Sequence, residues 1–157
     1  MKIRDATPDD AEAACAVLRA SIIELCAADH GNDPALLERW LANKRPEIVA
    51  GWIGRPEHPL LVAVDSGGIL AVGAVRDAGE ITLNYVAPQA RFCGISRAML
   101  RALEALAFEL GNTECWLQST ETAHRFYLSN GYVDTGEPIR KFGMNSGYPM
   151  SKPIRPR

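Results

Sequence analysis

The sequence predicts an α/β fold, a central mixed and mostly antiparallel sheet flanked by helices. Three observations carry that expectation. Strand-like apolar runs at residues 60–64, 69–75 and 81–86 are separated only by the short turn signals "DSGG" and "DAGE", as in an antiparallel meander. Before and after them, apolar residues recur at helical spacing. A strand, a helix and a strand then follow one another over residues 81–118, and such a crossover makes its two strands parallel neighbours.

The chain opens with a strand. Thr7, Pro8 and Asp10 then supply an N-cap, a first-turn proline and an approximate capping box, so a helix starts there. Ala11, Cys15, Leu18, Ile22 and Leu25 fall on one stripe of it. Asp33 and Pro34 repeat the start signal, and "ALLERWLANKR" makes a second short helix that Pro46 ends. Residues 46–59 read as loop-like or weakly helical. After the meander, "RAMLRALEALAFEL" is a helix with Met99, Leu103, Leu106 and Leu110 on one face, closed by Gly111. "CWLQS" reads as a strand, "TAHRFYLSN" as a helix stopped at Gly131, "YVDTG" as a strand, and "PMSK" as a last strand.

Length and composition narrow the function. The 157 residues make one domain, spanning 1–157, with 47% apolar and 23% charged residues, the balance of a packed globular chain. A net charge of −2 with scattered basic residues argues against a nucleic-acid surface, which would need a basic stripe. No apolar run approaches the ~20 residues of a membrane helix, and "MKIRDATPDD" lacks the apolar region of a signal peptide. The expectation is a cytoplasmic protein with a small partner and no membrane. The four cysteines, Cys15, Cys26, Cys93 and Cys115, show no CxxC spacing and read as reduced thiols. His58 and His124 have no ligand partners at metal spacing, so no metal is expected.

The stretch "VAPQARFCGIS", residues 86–96, holds the first functional signal. A strand that turns directly into a helix leaves the first helical amides unpaired and partly positive, a place where phosphate binds. Gly94 permits an unusual φ, and Arg91 and Arg97 add charge. On these residues alone, an ordinary connection with solvated arginines stays open.

Arg91, Gly94 and Ser96 in "RFCGIS" resemble the R/Q-x-x-G-x-G/A acyl-CoA loop of the GNAT superfamily of N-acyltransferases. "NYVAP" resembles that family's fourth strand, and "TAHRFYLSNGY" its A-x-x-F-Y-x-x-x-G-F segment. The order of elements also matches over nearly the whole chain. Departures exist: Ser96 stands at the second glycine position, Phe92 where a glycine often follows the arginine, and Thr120 where many relatives have asparagine.

The resemblance implies a three-layer GNAT-like fold with acetyl-CoA as co-substrate and no metal. Its pyrophosphate would sit on the amides of Phe92, Cys93, Gly94, Ile95, Ser96 and Arg97, beside Arg91. Its pantetheine arm would add like a strand along Asn84, Tyr85 and Val86, and Thr120 is a further cofactor-binding candidate. Tyr127 would protonate the leaving thiolate, since a phenol of pKa ~10 is protonated at neutral pH. An amide near Val86 would polarise the carbonyl. Glu80, where some relatives carry a catalytic glutamate, is a candidate base, with a solvated turn carboxylate as the open alternative. Glu24, Asp29 and His30, near the end of the first helix, are acceptor-site candidates or surface residues, and Trp52 is a further pocket candidate.

The implied activity is N-acetyl transfer from acetyl-CoA to a primary amine of a small molecule or a protein, by direct transfer. Its partners are acetyl-CoA and the amine, and a homodimer is compatible with it. Two other readings compete. One is a domain of the same fold that binds acyl-CoA as a sensor or structural partner without transfer, against which Tyr127 speaks. The other is a hydrolase built on "GISRA", one residue from a G-x-S-x-G elbow, for which the chain is short.

Overall fold

The computed structural model describes residues 1–140 and 147–155. Strands β1 (Lys2–Asp5), β2 (Leu60–Asp65), β3 (Gly68–Val75) and β4 (Ile81–Val86) form an antiparallel group in spatial order β1-β2-β3-β4. Strands β5 (Glu114–Ser119), β6 (Val133–Asp134) and β7 (Tyr148–Pro153) form a second, in order β5-β7-β6. The meander and the last strand near "PMSK" are therefore present. "YVDTG" contributes only two residues to a strand.

Among the described residues the two groups join at one place. Glu80 and Trp116 form a parallel bridge, and the Trp116 N–H donates to the Gly79 carbonyl at 3.1 Å. β4 and β5 are parallel neighbours, as the crossover requires, yet no further rung follows among the described residues. They are held at their N-terminal ends and open toward their C-terminal ends. Parallel strands present ligands there.

The helices are α1 (Ala11–Leu25), α2 (Ala27–His30), α3 (Pro34–Leu41), α4 (Pro46–Trp52), α5 (Ile95–Glu109) and α6 (Glu121–Ser129). A 3₁₀ turn at Pro8–Asp10, closed by the Thr7–Asp10 capping box, leads into α1. Both α1 and α5 pack on β3 and β4. β3 is buried continuously from Ala71 to Val75, the pattern of a strand covered on both faces. Ala11, Cys15, Leu18 and Ile22 are buried as the stripe predicts, whereas Leu25 is only half-buried. On α5, Met99 and Leu103 are fully buried, Leu106 is half-buried and Leu110 is exposed.

Gly73 leaves room for the Met99 and Leu103 side chains of α5 on the sheet. A Cβ there would stand 2.6 Å from Met99 Sδ and 2.8 Å from Met99 Cγ, closer than packed atoms come. A side chain at this position would force the Met99 side chain out of its place against β3.

Two expectations change. The second helix ends at Leu41 rather than Pro46, and Pro46 starts α4 instead of ending α3. A proline fits the first turn, where its missing N–H has no partner to lose, and fully buried Val49 holds α4 in the core that α1 shares. The periodicity also passed over α2, one turn closed by Gly31 at φ +56°. Trp40 is buried in a small cluster with Ile22, Cys26 and Leu41. No helix among the described residues is long and apolar enough to cross a membrane.

Candidate active site

The opening between β4 and β5 is a cavity of about 480 Å³. Asn84, Tyr85 and Val86 line it from β4; Arg91, Phe92, Gly94, Ile95, Ser96 and Arg97 from the loop and the start of α5; Thr120 and Tyr127 from β5's end and α6. Of the residues expected to hold a cofactor, Cys93 does not line it; it is exposed beside the loop. Ser21, Leu25, Cys26, Thr122 and Phe126 also line it, though the sequence gives none of them as a site residue.

At the loop, Arg91 N–H closes on the Pro88 carbonyl at 3.3 Å, and the next helical bond is Ala98 N–H to the Gly94 carbonyl at 3.1 Å. No amide from Phe92 through Arg97 donates to an acceptor among the described residues. Six consecutive backbone donors at the start of a 15-residue helix make an anion cradle. Gly94 has φ +77° and an ideal Cβ there meets nothing within 4 Å, so conformation rather than crowding selects glycine. Phe92 adopts φ +64°, is 91% exposed, and carries the Arg91 guanidinium 4.6 Å from its ring centre.

β4 offers its open edge in alternation. The Ala87 N–H donates to the Leu70 carbonyl at 2.8 Å. In an antiparallel ladder alternate residues face the partner strand, so Tyr85 turns its backbone to β3 while Asn84 and Val86 turn theirs to the cavity. Strand addition by an arm is open to Asn84 and Val86 and closed to the Tyr85 backbone. The Tyr85 ring packs against the Trp40 cluster, and burial raises its phenol.

Tyr127 is 7% exposed, and its phenol oxygen accepts from Asn84 Nδ2 at 3.3 Å. Burial pushes the phenol up to about 12, partly offset by that Asn84 bond, so it holds its proton at neutral pH. Thr120, at the α6 N-cap, accepts from the Ala123 N–H at 3.1 Å. Burial, together with the Asp29 carboxylate, pushes the Cys26 thiol up to about 12. A thiol that keeps its proton is a poor nucleophile, which disfavours a route through an acylated Cys26.

The other candidates lie elsewhere. Glu80 is ion-paired with Arg76 at 3.5 Å at the joined end of the strands and does not line the cavity. His30 is buried: Nδ1 accepts from the Asn32 N–H at 2.9 Å and Nε2 sits 2.9 Å from the Ile22 carbonyl. Asp29 accepts from the Glu121 N–H at 2.6 Å and from Thr122 N–H and Oγ1 at 3.2 and 2.6 Å. It caps the helix that carries Tyr127. Glu24 is exposed, and Trp52 packs half-buried against the main core. His124 bonds Asp134 at 2.7 Å and stacks on Tyr148, while His58 bonds Thr82 and burial lowers its pKa. No group of three His, Cys, Asp or Glu among the described residues is arranged for a metal.

Parallel strands parted over a cavity, with a donor-rich helix start at one wall and a buried phenol at the other, have the features that binding of an acyl-CoA requires. The family model for the acetyltransferase (GNAT) domain matches residues 26–153, and the chain belongs to that family. It is an acetyltransferase with acetyl-CoA as its co-substrate. No curated protein sequence matches it. Among solved structures it is similar to a GCN5-related N-acetyltransferase from Rhodopseudomonas palustris, at 24% identity and TM-score 0.84, covering 98% of this chain and 95% of that one. The PaiA N-acetyltransferase from Thermoplasma acidophilum, solved with coenzyme A, is 21% identical at TM-score 0.81, covering 98% of each. The aminoglycoside 6'-N-acetyltransferase from Enterococcus faecium is 18% identical at TM-score 0.74, covering 100% and 99%. At these identities the likeness is one of fold.

Proposed function

We propose that the protein transfers the acetyl group directly to a primary amine of a small molecule or a protein, with Tyr127 as the proton donor. The observation that carries this is the Tyr127 phenol, buried, proton-holding and pinned by Asn84 at 3.3 Å inside the cavity. Acetyl-CoA supplies the activated thioester; the unpaired amides of residues 92–97 would hold its pyrophosphate. The outward-facing Asn84 and Val86 amides would hold the arm and polarise the carbonyl. Tyr127 keeps a hydroxyl ready for the departing sulfur.

None of the cavity's described lining residues is an aspartate or glutamate. Proton removal from the amine is therefore assigned to solvent, ahead of attack. That assignment supports kcat/KM rising with pH up to the acceptor's own pKa and shifting with the acceptor. Fold relatives named for aminoglycosides and for ribosomal-protein alanine support both acceptor classes. The free thiols of Cys15, Cys26, Cys93 and Cys115 support a reducing compartment such as the cytoplasm.

The test is Tyr127→Phe, which keeps the ring and removes the hydroxyl. Under conditions where chemistry limits turnover, kcat should fall about tenfold or more with CoA affinity unchanged. With the phenol near 12, the free enzyme should show no activity loss from Tyr127 below about pH 10. Wild-type turnover in the Phe variant would make Tyr127 a packing residue.

A further inference from the structure

Asn84 uses only one end of its amide. Its Nδ2 donates to the Tyr127 phenol oxygen at 3.3 Å, while its Oδ1 is buried without a hydrogen-bond partner among the described residues. A buried carbonyl oxygen left unpaired is costly and rare. This one belongs to a residue of the cavity wall. β4 register places Asn84 opposite Gly73, whose Cβ position faces Met99 and Leu103 of α5. Opposed residues share a sheet face, so the side chain rises on the α5 side of β4, from where it reaches the Tyr127 phenol oxygen.

The two ends have different consequences. With an N–H donated to it, the phenol oxygen acts as acceptor toward Asn84, and its own hydrogen is directed away, into the cavity. An oxygen in place of Nδ2 would capture that hydrogen instead. The other ionisable groups on the cavity wall are Cys26, Tyr85, Arg91 and Arg97, none of them a carboxylate. Among the described residues no other lining group competes for the hydrogen as an anion.

We infer that Asn84 is a positioning residue with two tasks: its Nδ2 aims the Tyr127 hydroxyl into the cavity, and its Oδ1 accepts an N–H from a bound reactant. That N–H comes either from the pantetheine amide nearest the sulfur or from the attacking amine. The first task rests on Tyr127 as the acid. The second stands without it.

Asn84→Asp keeps the shape and replaces the donor by an acceptor; Asn84→Ala removes both ends. A fluorinated tyrosine placed at position 127 brings the phenol titration into a range where the protein is folded. Its midpoint should rise by about one unit in Asn84→Asp, from lost donation and added negative charge. Asn84→Ala should lower kcat about fivefold or more, and should lower it no further in a Tyr127→Phe background, because it acts through the phenol. Calorimetric CoA binding and the amine KM read the other end. A fivefold to tenfold loss in CoA affinity for Asn84→Ala assigns Oδ1 to the pantetheine amide, and the same loss in amine KM assigns it to the amine.

An unchanged midpoint in Asn84→Asp overturns the aiming role. Unchanged CoA affinity and amine KM in Asn84→Ala overturn the acceptor role. If Tyr127→Phe has wild-type turnover, the acid reading fails, while the titration and binding measurements still decide Asn84. Circular dichroism of each variant establishes that it is folded, and Asn84→Ser replaces any that is not.

Discussion

The two walls of the cleft use their polar groups in opposite ways. From β4 to the start of α5, groups are left unspent: the amides of residues 92–97 have no acceptor among the described residues, and Asn84 Oδ1 has no donor. Around α2, polar groups are spent on the protein itself. His30 gives both ring nitrogens to the backbone, and Asp29 gives both carboxylate oxygens to the N-terminus of α6. The difference teaches that nearness to a cleft does not make a titratable residue a reactant. Unsatisfied groups mark where a ligand belongs, because burial without a partner costs free energy.

The largest effect should come from breaking the unspent wall. Gly94→Asp puts a side chain at φ +77° and a negative charge among the amides proposed to hold the pyrophosphate. CoA at a hundredfold excess over its dissociation constant should stabilise the wild type by roughly 2.7 kcal/mol, or roughly 5–10 °C in a melting curve. The variant should show no shift. A preserved shift would place the pyrophosphate elsewhere.

On the spent wall the same logic predicts stability effects without kinetic ones. His30→Ala deletes a buried ring that ties Ile22 to Asn32 and should cost about 2 kcal/mol in denaturant unfolding. The KM for amines in the folded fraction should not change. A raised KM with wild-type stability would return His30 to the acceptor site.

Asp29→Ala should cost about 1 kcal/mol, the typical loss of a helix cap. Because that cap lies on the helix of Tyr127, kcat should fall a few-fold while the CoA-induced melting shift persists. Loss of the shift with kcat intact would contradict this ordering.

The smallest effect lies far from both walls, where Asp10 bonds Arg4 at 2.7 and 3.1 Å. Arg4 first, and then the Thr7 N–H, hold the Asp10 carboxyl at about 2, below its unfolded value near ~3.9. A lowered folded pKa stabilises above the unfolded value, so the contribution is complete above about pH 4 and is lost as pH falls toward 2. Asp10→Asn should flatten acid unfolding across that window and leave CoA binding untouched. A change in CoA binding would mean that this surface pair couples to the site.

The unpaired amides of residues 92–97 were legible because they are local: a glycine, a turn and a helix start within one short stretch of chain specify them. The capping box at Thr7 and the Thr120 cap are local in the same sense. Pro46 was misread because a proline ends one helix and begins another with the same geometry. Only the burial of Val49 decides between them.

What the sequence by itself determined was thus the order of elements, the mixed sheet and the glycine-containing turn into α5 that leaves its first amides unpaired, all set by periodicity and chain-local geometry. What only the tertiary structure decided was which side chains remain free. Asp29 meets Thr122 across 93 residues, and Asn84 meets Tyr127 across 43. Such pairings depend on how β4 and β5 part after a single bridge between Glu80 and Trp116. That divergence exposes Asn84 and Tyr127 to one cavity while leaving Glu80 at the closed end.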